Sequence, residues 1–207
     1  MSDIRNRAKD LLPSMLMTLM SIIQALALEF LWEIARSAER GFTWSSVLVW
    51  TQIAANMLGI LQVWLFYTGV AMRFRWVPTT SDLMLPFLVG ILEFTLIDLT
   101  GTGHLPLWFW TLASVYTVAA WDAQNVMVRA RRDTDNDEFF QHVQPAGLRE
   151  LMAPVAVVMG LIVFGFAVYF SSENPWLTLL GLLFAAGTLA FQIAMGRRYW
   201  IRSMQEG

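Results

Sequence analysis

Six apolar segments, each long enough to cross a bilayer as a helix, constrain the fold of this chain more than any other feature. A hydrocarbon core of about 30 Å requires roughly 20 helical residues, and the segments cover residues 11–32, 45–72, 83–100, 105–128, 151–170 and 176–195. Isolated strands would leave backbone groups unpaired in lipid, so helices are the only spanning elements that fit. The sequence therefore predicts an all-α, polytopic membrane protein made of one six-span domain, residues 1–207.

The composition agrees with this class and excludes several others. Apolar side chains make up 57% of the 207 residues, charged ones 14%, and the mean hydropathy is +0.52, whereas soluble domains carry about 25% charged residues. A net charge of -2 argues against nucleic acid as a partner, because binding phosphates requires a basic face. Cysteine is absent, which excludes disulfides and thiolate metal sites. The predicted partner is the lipid bilayer, and no cofactor is predicted.

The positions of Lys and Arg predict the orientation of the chain. The positive-inside rule places basic residues in the cytoplasm, and a cytoplasmic N-terminus satisfies it for all but Arg36 and Arg40. Both termini are then cytoplasmic, with a leader over 1–10, a loop over 129–150 and a tail over 196–207. The twelve basic residues on that side are Arg5, Arg7, Lys9, Arg73, Arg75, Arg129, Arg131, Arg132, Arg149, Arg197, Arg198 and Arg202.

Carboxylates inside or near the spans are the strongest functional signal. Each charge at a span centre costs about 2.5–3.5 kcal/mol on the insertion scale, so such residues are functional candidates. No Lys or Arg lies within any span to pair with them. The predicted topology places four acids together in the outer half of the membrane, where they would form a cation vestibule or a proton-linked group: Glu29, Glu33, Glu93 and Asp98.

A structural role for these polar residues is an open alternative. Glu33 and Asp98 can lie at the headgroup level, and Glu29 can bond to amides of the second span. Gln52 and Asn56, four residues apart, and Gln62 are predicted to make polar contacts between helices. Asp122 is predicted to be an interfacial anchor.

The sequence does not favour an enzyme or a metal site. His104 and His142 lie in loops predicted on opposite sides of the membrane, and no spanning serine has a histidine placed as its base. Asp98, Glu93 and His104 could form a metal centre by composition, but their spacing is not a recognisable one. The stretch "DTDNDE" resembles the start of a calcium loop but has Glu138 where the loop requires glycine. It is predicted to be a solvated acidic turn.

The layout of the first hundred residues resembles the transmembrane protein 175 family, the unconventional potassium channels of lysosomes and bacteria. The resemblance rests on a basic leader, a long second span "VLVWTQIAANMLGILQVWLFYTGVAMRF" and a third span that follows at once. The family's signature Arg-x-x-x-Phe-Ser-Asp aligns with "KDLLPSM", in which Ser14 is retained and Lys9, Pro13 and Met15 replace the other signature residues. The resemblance implies a bacterial inner membrane, a homo-oligomer that is a tetramer, and a pore lined by the first span. The implied constriction consists of Met20, Gln24 and Ala27.

Three functions follow as hypotheses. The first is an oligomeric channel for potassium or another monovalent cation, with the first helix lining the pore. The second is a proton-coupled transporter in which Glu29 or Glu93 exchanges its proton. The third is a non-conducting membrane scaffold or accessory subunit whose polar residues only pack helices.

Overall fold

The computed structural model describes residues 2–141, 148–171 and 174–205, with side chains described for 3–141, 152–171 and 174–197. The loop predicted over 129–150 and the tail predicted over 196–207 therefore lie partly outside the described residues, as do His142 and the side chains of Arg149, Arg198 and Arg202. The described chain is helical and contains no strand. The helices are α1 Ser2–Ser37, α2 Trp44–Arg73, α3 Thr80–Asp98, α4 Leu105–Arg131, α5 Asp137–Gln141, α6 Leu148–Phe170 and α7 Pro175–Gln205.

Five helices, α1, α2, α3, α6 and α7, are long and apolar enough to cross a membrane. This confirms the prediction of a helical, multi-pass membrane protein. The remaining predicted span, residues 105–128, corresponds to α4, whose 27 residues are sufficient in length. Its tryptophans, tyrosines and hydroxyl residues, together with Asp122, lower its hydropathy, and it is not among the five.

The six long helices close a ring in the order α1, α2, α7, α6, α4, α3. Each of these helices packs against the next one in that order, and α3 packs against α1. Close approach on one side of the ring depends on Gly181 of α7, because a Cβ there would lie 2.8 Å from the Phe109 ring of α4. Trp108, Phe109, Leu161 and Leu182 form the centre of the apolar core on that side.

One end of the ring carries the basic residues at and after the C-terminal ends of α2 and α4, which are Arg73, Arg75, Arg129, Arg131 and Arg132. This end is called the basic end below. The turn after α4, predicted to be solvated, is instead tied into the bundle there. Asp133 is only 7% exposed, and its carboxylate accepts a hydrogen bond of 2.6 Å from Lys9. Asn136 donates to the Ala130 carbonyl oxygen at 2.8 Å and accepts from the Arg75 backbone N–H at 3.0 Å. The prediction of a solvated turn is wrong for Asp133 and Asn136, because Lys9 and Arg75 supply partners from distant parts of the chain, whereas Asp135, Asp137 and Glu138 are exposed.

A second ion pair joins α3 to α4 at the same end. Arg129 lies 2.6 Å from the Asp82 carboxylate, which is buried and also accepts from the Thr79 backbone N–H at 2.7 Å. Together the two ion pairs connect α1, α3, α4 and the turn that follows α4.

Candidate functional site

Glu93 is the one of the four acids predicted to act together that the structure places inside the ring. It lies on the face of α3 that also carries Val89, Leu96 and Ile97, all of which are buried. Because this face packs between α1 and α4, the carboxylate is only 4% exposed. Its Oε2 accepts a hydrogen bond of 2.8 Å from Gln24 on α1, whereas its buried Oε1 has no partner among the described residues. Only one oxygen of Glu93 is therefore held in place by a hydrogen bond.

Glu93 lines a small cavity, the upper chamber, between α2, α3, α4 and α7. Its volume is about 60 Å³, and its polar lining comes from Asn56, Gln62, Tyr116 and Gln192. A cavity of about 10–15 Å³ holds one water molecule if polar partners are present. The upper chamber is thus large enough for water or a small charged group next to Glu93.

A second cavity, the middle chamber, continues from the first toward the basic end. Its volume is about 310 Å³, and Gln62, Tyr116 and Gln192 line both chambers. The middle chamber also contains a buried pair, in which the Tyr67 hydroxyl of α2 donates to the Asp122 carboxylate of α4 at 2.8 Å. Neither chamber is lined by a basic residue among those described.

A third cavity, the lower chamber, reaches the basic end of the ring. Its volume is about 460 Å³, and it shares Gln62 and Phe66 with the middle chamber. Arg73 and Arg197 lie along it. The three chambers therefore widen from Glu93 toward the basic end, and Gln62 lines all of them.

The residues predicted to form a pore constriction are found inside the bundle. Met20 and Ala27 have no exposed surface, and Gln24 is 4% exposed. They lie on the face of α1 that packs against α2 and α3, where Met20 contacts Val63 and Val89. This differs from the expectation, because residues lining an axis between copies would be accessible on the surface of one copy.

The four acids predicted to act together are divided by the structure. Glu93 lies inside the ring, whereas Glu29, Glu33 and Asp98 are exposed. The hydrogen bond between Gln24 and Glu93 shows that these two residues lie at one height. Glu29 and Asp98 each lie five residues further along the same helices, ~7.5 Å at about 1.5 Å per residue, so they too lie at about the same height. Only Glu29 and Asp98 therefore share a height, and the four acids do not form the single group that was predicted.

Two of the predicted polar contacts attach the connection between α3 and α4 to α2. The Gln52 side-chain oxygen accepts from the Gly101 backbone N–H at 2.9 Å. Asn56 donates to the Thr100 hydroxyl at 2.8 Å and accepts from the Trp108 indole N–H at 3.2 Å. Gln62, predicted to have a similar role, lines the chambers instead.

Sequence reasoning missed three residues that line the chambers. Asp122 is 2% exposed and faces Tyr67, so it is not the interfacial anchor that was predicted. Gln192 was not identified, although a single amide in the apolar stretch "LAFQIAM" is a detectable signal. Tyr116 lines the upper and middle chambers together with Gln192 and was not identified either.

The composition-based metal centre is not assembled. Asp98 and His104 are exposed, whereas Glu93 is buried inside the ring. Within the part of the chain that the structure describes, no group of three or more His, Cys, Asp and Glu side chains could hold a metal ion.

The fold defines the class of this protein as an α-helical, multi-pass integral membrane protein, and two carboxylates, Glu93 and Asp122, line the chambers between its helices. Comparison with protein-family models, with curated proteins and with solved structures gives no match. The resemblance to the transmembrane protein 175 family stays a prediction.

Proposed function

We propose that this protein is a proton-coupled transporter and that Glu93 is its proton carrier. The observation that carries the proposal is the unpartnered Oε1 of a buried carboxylate that lines a cavity. An ionised carboxylate in a low-dielectric site needs a counter-charge, and a protonated one does not. Glu93 can therefore be occupied by a proton or by a cationic group, in alternation.

The lower chamber gives this carboxylate a connection to one side of the membrane. The chambers widen toward Arg73 and Arg197, and we propose that this end faces the cytoplasm under the positive-inside rule. Toward the opposite end, Asn56 and Gln52 attach the connection between α3 and α4 to α2. This arrangement corresponds to a transporter open to the cytoplasm, and export requires these contacts to separate.

The proposal includes six spans, both termini in the cytoplasm and a location in the bacterial inner membrane. The helix α4 would be the span that completes the six. Its most polar buried residue, Asp122, faces Tyr67 inside the ring and not lipid. A polar side chain directed into the bundle is less costly in a membrane than one directed into the acyl chains.

The absence of native cysteine makes this topology directly testable. We expect Thr102→Cys, at an exposed site between α3 and α4, to react with a membrane-impermeant maleimide in intact cells. Thr134→Cys, at an exposed site after α4, should react only after permeabilisation. The unsubstituted protein is the control and should remain unlabelled. Labelling of Thr134→Cys in intact cells would contradict the orientation.

Transport itself is tested in proteoliposomes that carry a pH gradient. We expect saturable, gradient-driven uptake of at least one compound from a panel of small organic cations, neutral molecules and anions. An uncoupler should abolish this uptake. If neither uptake nor ion current occurs under any gradient, the scaffold hypothesis replaces the transporter.

A cation channel is the second candidate, and the outward face of α1 favours it. Thr18, Ser21, Ala25 and Glu29 are exposed along this face, which could line an axis between copies of the chain, for example in a tetramer. Ions would then contact these residues and not Met20, Gln24 or Ala27. Planar-bilayer recordings in potassium and sodium test this function: a channel requires a current that Glu29→Gln reduces.

A further inference from the structure

We infer that the substrate bound in the chambers is a small monovalent organic cation with an apolar body. The inference rests on the proposed function, and it specifies the ligand of the same site. The cationic group would pair with Glu93 in the upper chamber, and the apolar body would occupy the middle chamber.

Charge is the first argument for a cation. Two carboxylates, Glu93 and Asp122, line the upper and middle chambers, and none of the described residues lining these chambers is basic. Asp122 accepts a hydrogen bond from Tyr67, whereas Oε1 of Glu93 has no partner among the described residues. A buried anionic ligand would lack a counter-charge there, and a buried cation would have one.

Shape is the second argument, because the two chambers differ in volume. The upper chamber, about 60 Å³, fits an ammonium group but not a large body. The middle chamber, about 310 Å³, has apolar walls that include Val63, Phe66 and Val89. A cation with an apolar body gains from burying that body, and Tyr116 offers a ring next to the cationic group.

The lower chamber supports an amphipathic ligand. Arg73 and Arg197 lie along it together with Leu65, Met72 and Ile193. The apolar side chains between the arginines favour an amphipathic ligand over a hydrated inorganic ion.

The proton and the substrate would compete for Oε1 of Glu93. Binding of the cation to protonated Glu93 forms a carboxylate–ammonium pair and releases one proton to solution, so mass and charge balance. The side chains that the packed helices direct toward this region are Gln24 on α1, Asn56, Gln62 and Tyr67 on α2, Tyr116 and Asp122 on α4 and Gln192 on α7, with Arg73 and Arg197 at the basic end. Glu93 has no cation beside it among these residues, so proton and substrate are its alternative counter-charges.

Calorimetry with two matched probes tests the inference on the purified full-length protein. We expect benzyltrimethylammonium to bind, and neopentylbenzene, its neutral isostere, to bind at least tenfold more weakly. In acid, binding of the cation should weaken by up to about tenfold per pH unit as the proton competes. In the same acid range, titration in buffers of different ionisation enthalpy should show the release of about one proton per cation bound.

Three variants separate the charge of Glu93 from folding. Glu93→Gln should reduce the affinity for benzyltrimethylammonium at least tenfold, and Glu93→Asp should restore most of it. Glu39→Gln, at an exposed site outside the chambers, should leave the affinity unchanged. Equal binding of the two probes, no binding of the cation, or unchanged binding by a folded Glu93→Gln protein would each overturn the inference.

The inference and the proposed function fail in different ways. Gradient-driven uptake of a neutral or anionic compound without cation binding would overturn the inference and leave the proton-coupled transporter in place. Cation binding at Glu93 without any gradient-driven movement would establish the site and overturn the transporter.

Discussion

Glu93→Gln is expected to reduce gradient-driven uptake in proteoliposomes to the level of protein-free vesicles. Glutamine keeps the size of the side chain and can bond to Gln24, which now bonds to Glu93 at 2.8 Å, but it cannot exchange a proton. The loss should therefore affect transport and leave the fold intact. Uptake driven by a pH gradient measures transport, and gel filtration with circular dichroism measures whether the fold is intact.

The control for this experiment is a carboxylate that lies outside the chambers. Glu39→Gln removes the same charge from an exposed site in the connection between α1 and α2 and should retain uptake. Wild-type uptake by a folded Glu93→Gln protein would show that another group carries the proton. Asp122, the other carboxylate of the chambers, would be the next residue to test.

Lys9→Met is expected to lower the free energy of unfolding by about 2 kcal/mol, between the values for an exposed and a fully buried ion pair, because the pair lies at the edge of the bundle near Arg5. The side chains of Lys9 and Asp133 are 7% and 6% exposed, and Nζ lies 2.6 Å from Oδ1. Without Lys9, the Asp133 carboxylate remains buried without its counter-charge. Reversible unfolding in mixed micelles, followed by circular dichroism, measures the change.

The leader itself provides a matched control for the Lys9 substitution. Arg7 pairs with Asp3 one turn away at 3.2 Å, but both side chains are largely exposed, at 66% and 82%. Arg7→Met should therefore change the free energy of unfolding by less than about 0.5 kcal/mol. Lys9→Met with Asp133→Leu should recover much of the loss, because neither charge is then buried alone. Equal effects of the two single substitutions would contradict the buried pair.

The same ion pair predicts a loss of stability in acid. Burial by itself would raise the pKa of Asp133, but hydrogen bonds from Lys9 and from the Asp135 backbone, together with the Lys9 charge, lower the pKa below its usual value. The stabilisation is then complete above the unfolded pKa of about 3.9 and disappears as the pH falls through the lower, folded pKa. The stability difference between wild type and Asp133→Asn should be constant above about pH 5 and shrink below about pH 4.

The approximate positions of the long helices follow from the sequence alone, whereas only five of the six predicted spans are apolar enough to cross a membrane. A run of about 20 apolar residues must satisfy its own backbone hydrogen bonds in lipid, and only a helix does so within one segment. The segment 83–100, for example, corresponds to α3 at Thr80–Asp98. The polar ends were less predictable: α1 begins at Ser2 and includes most of the leader.

Which side of each helix faces its neighbours was decided only by the tertiary structure. A span that is apolar on every side carries little periodicity, so the sequence does not indicate its rotation about its axis. Glu29 and Glu93 are similar in sequence context, yet Glu29 faces outward and Glu93 faces the upper chamber. Likewise, Asp122 meets Tyr67 from 55 residues away because α2 and α4 face each other across the ring. The sequence determined a helical membrane protein with acids at membrane depth, and the packing of α1, α2, α3, α4 and α7 determined which of those acids share a cavity.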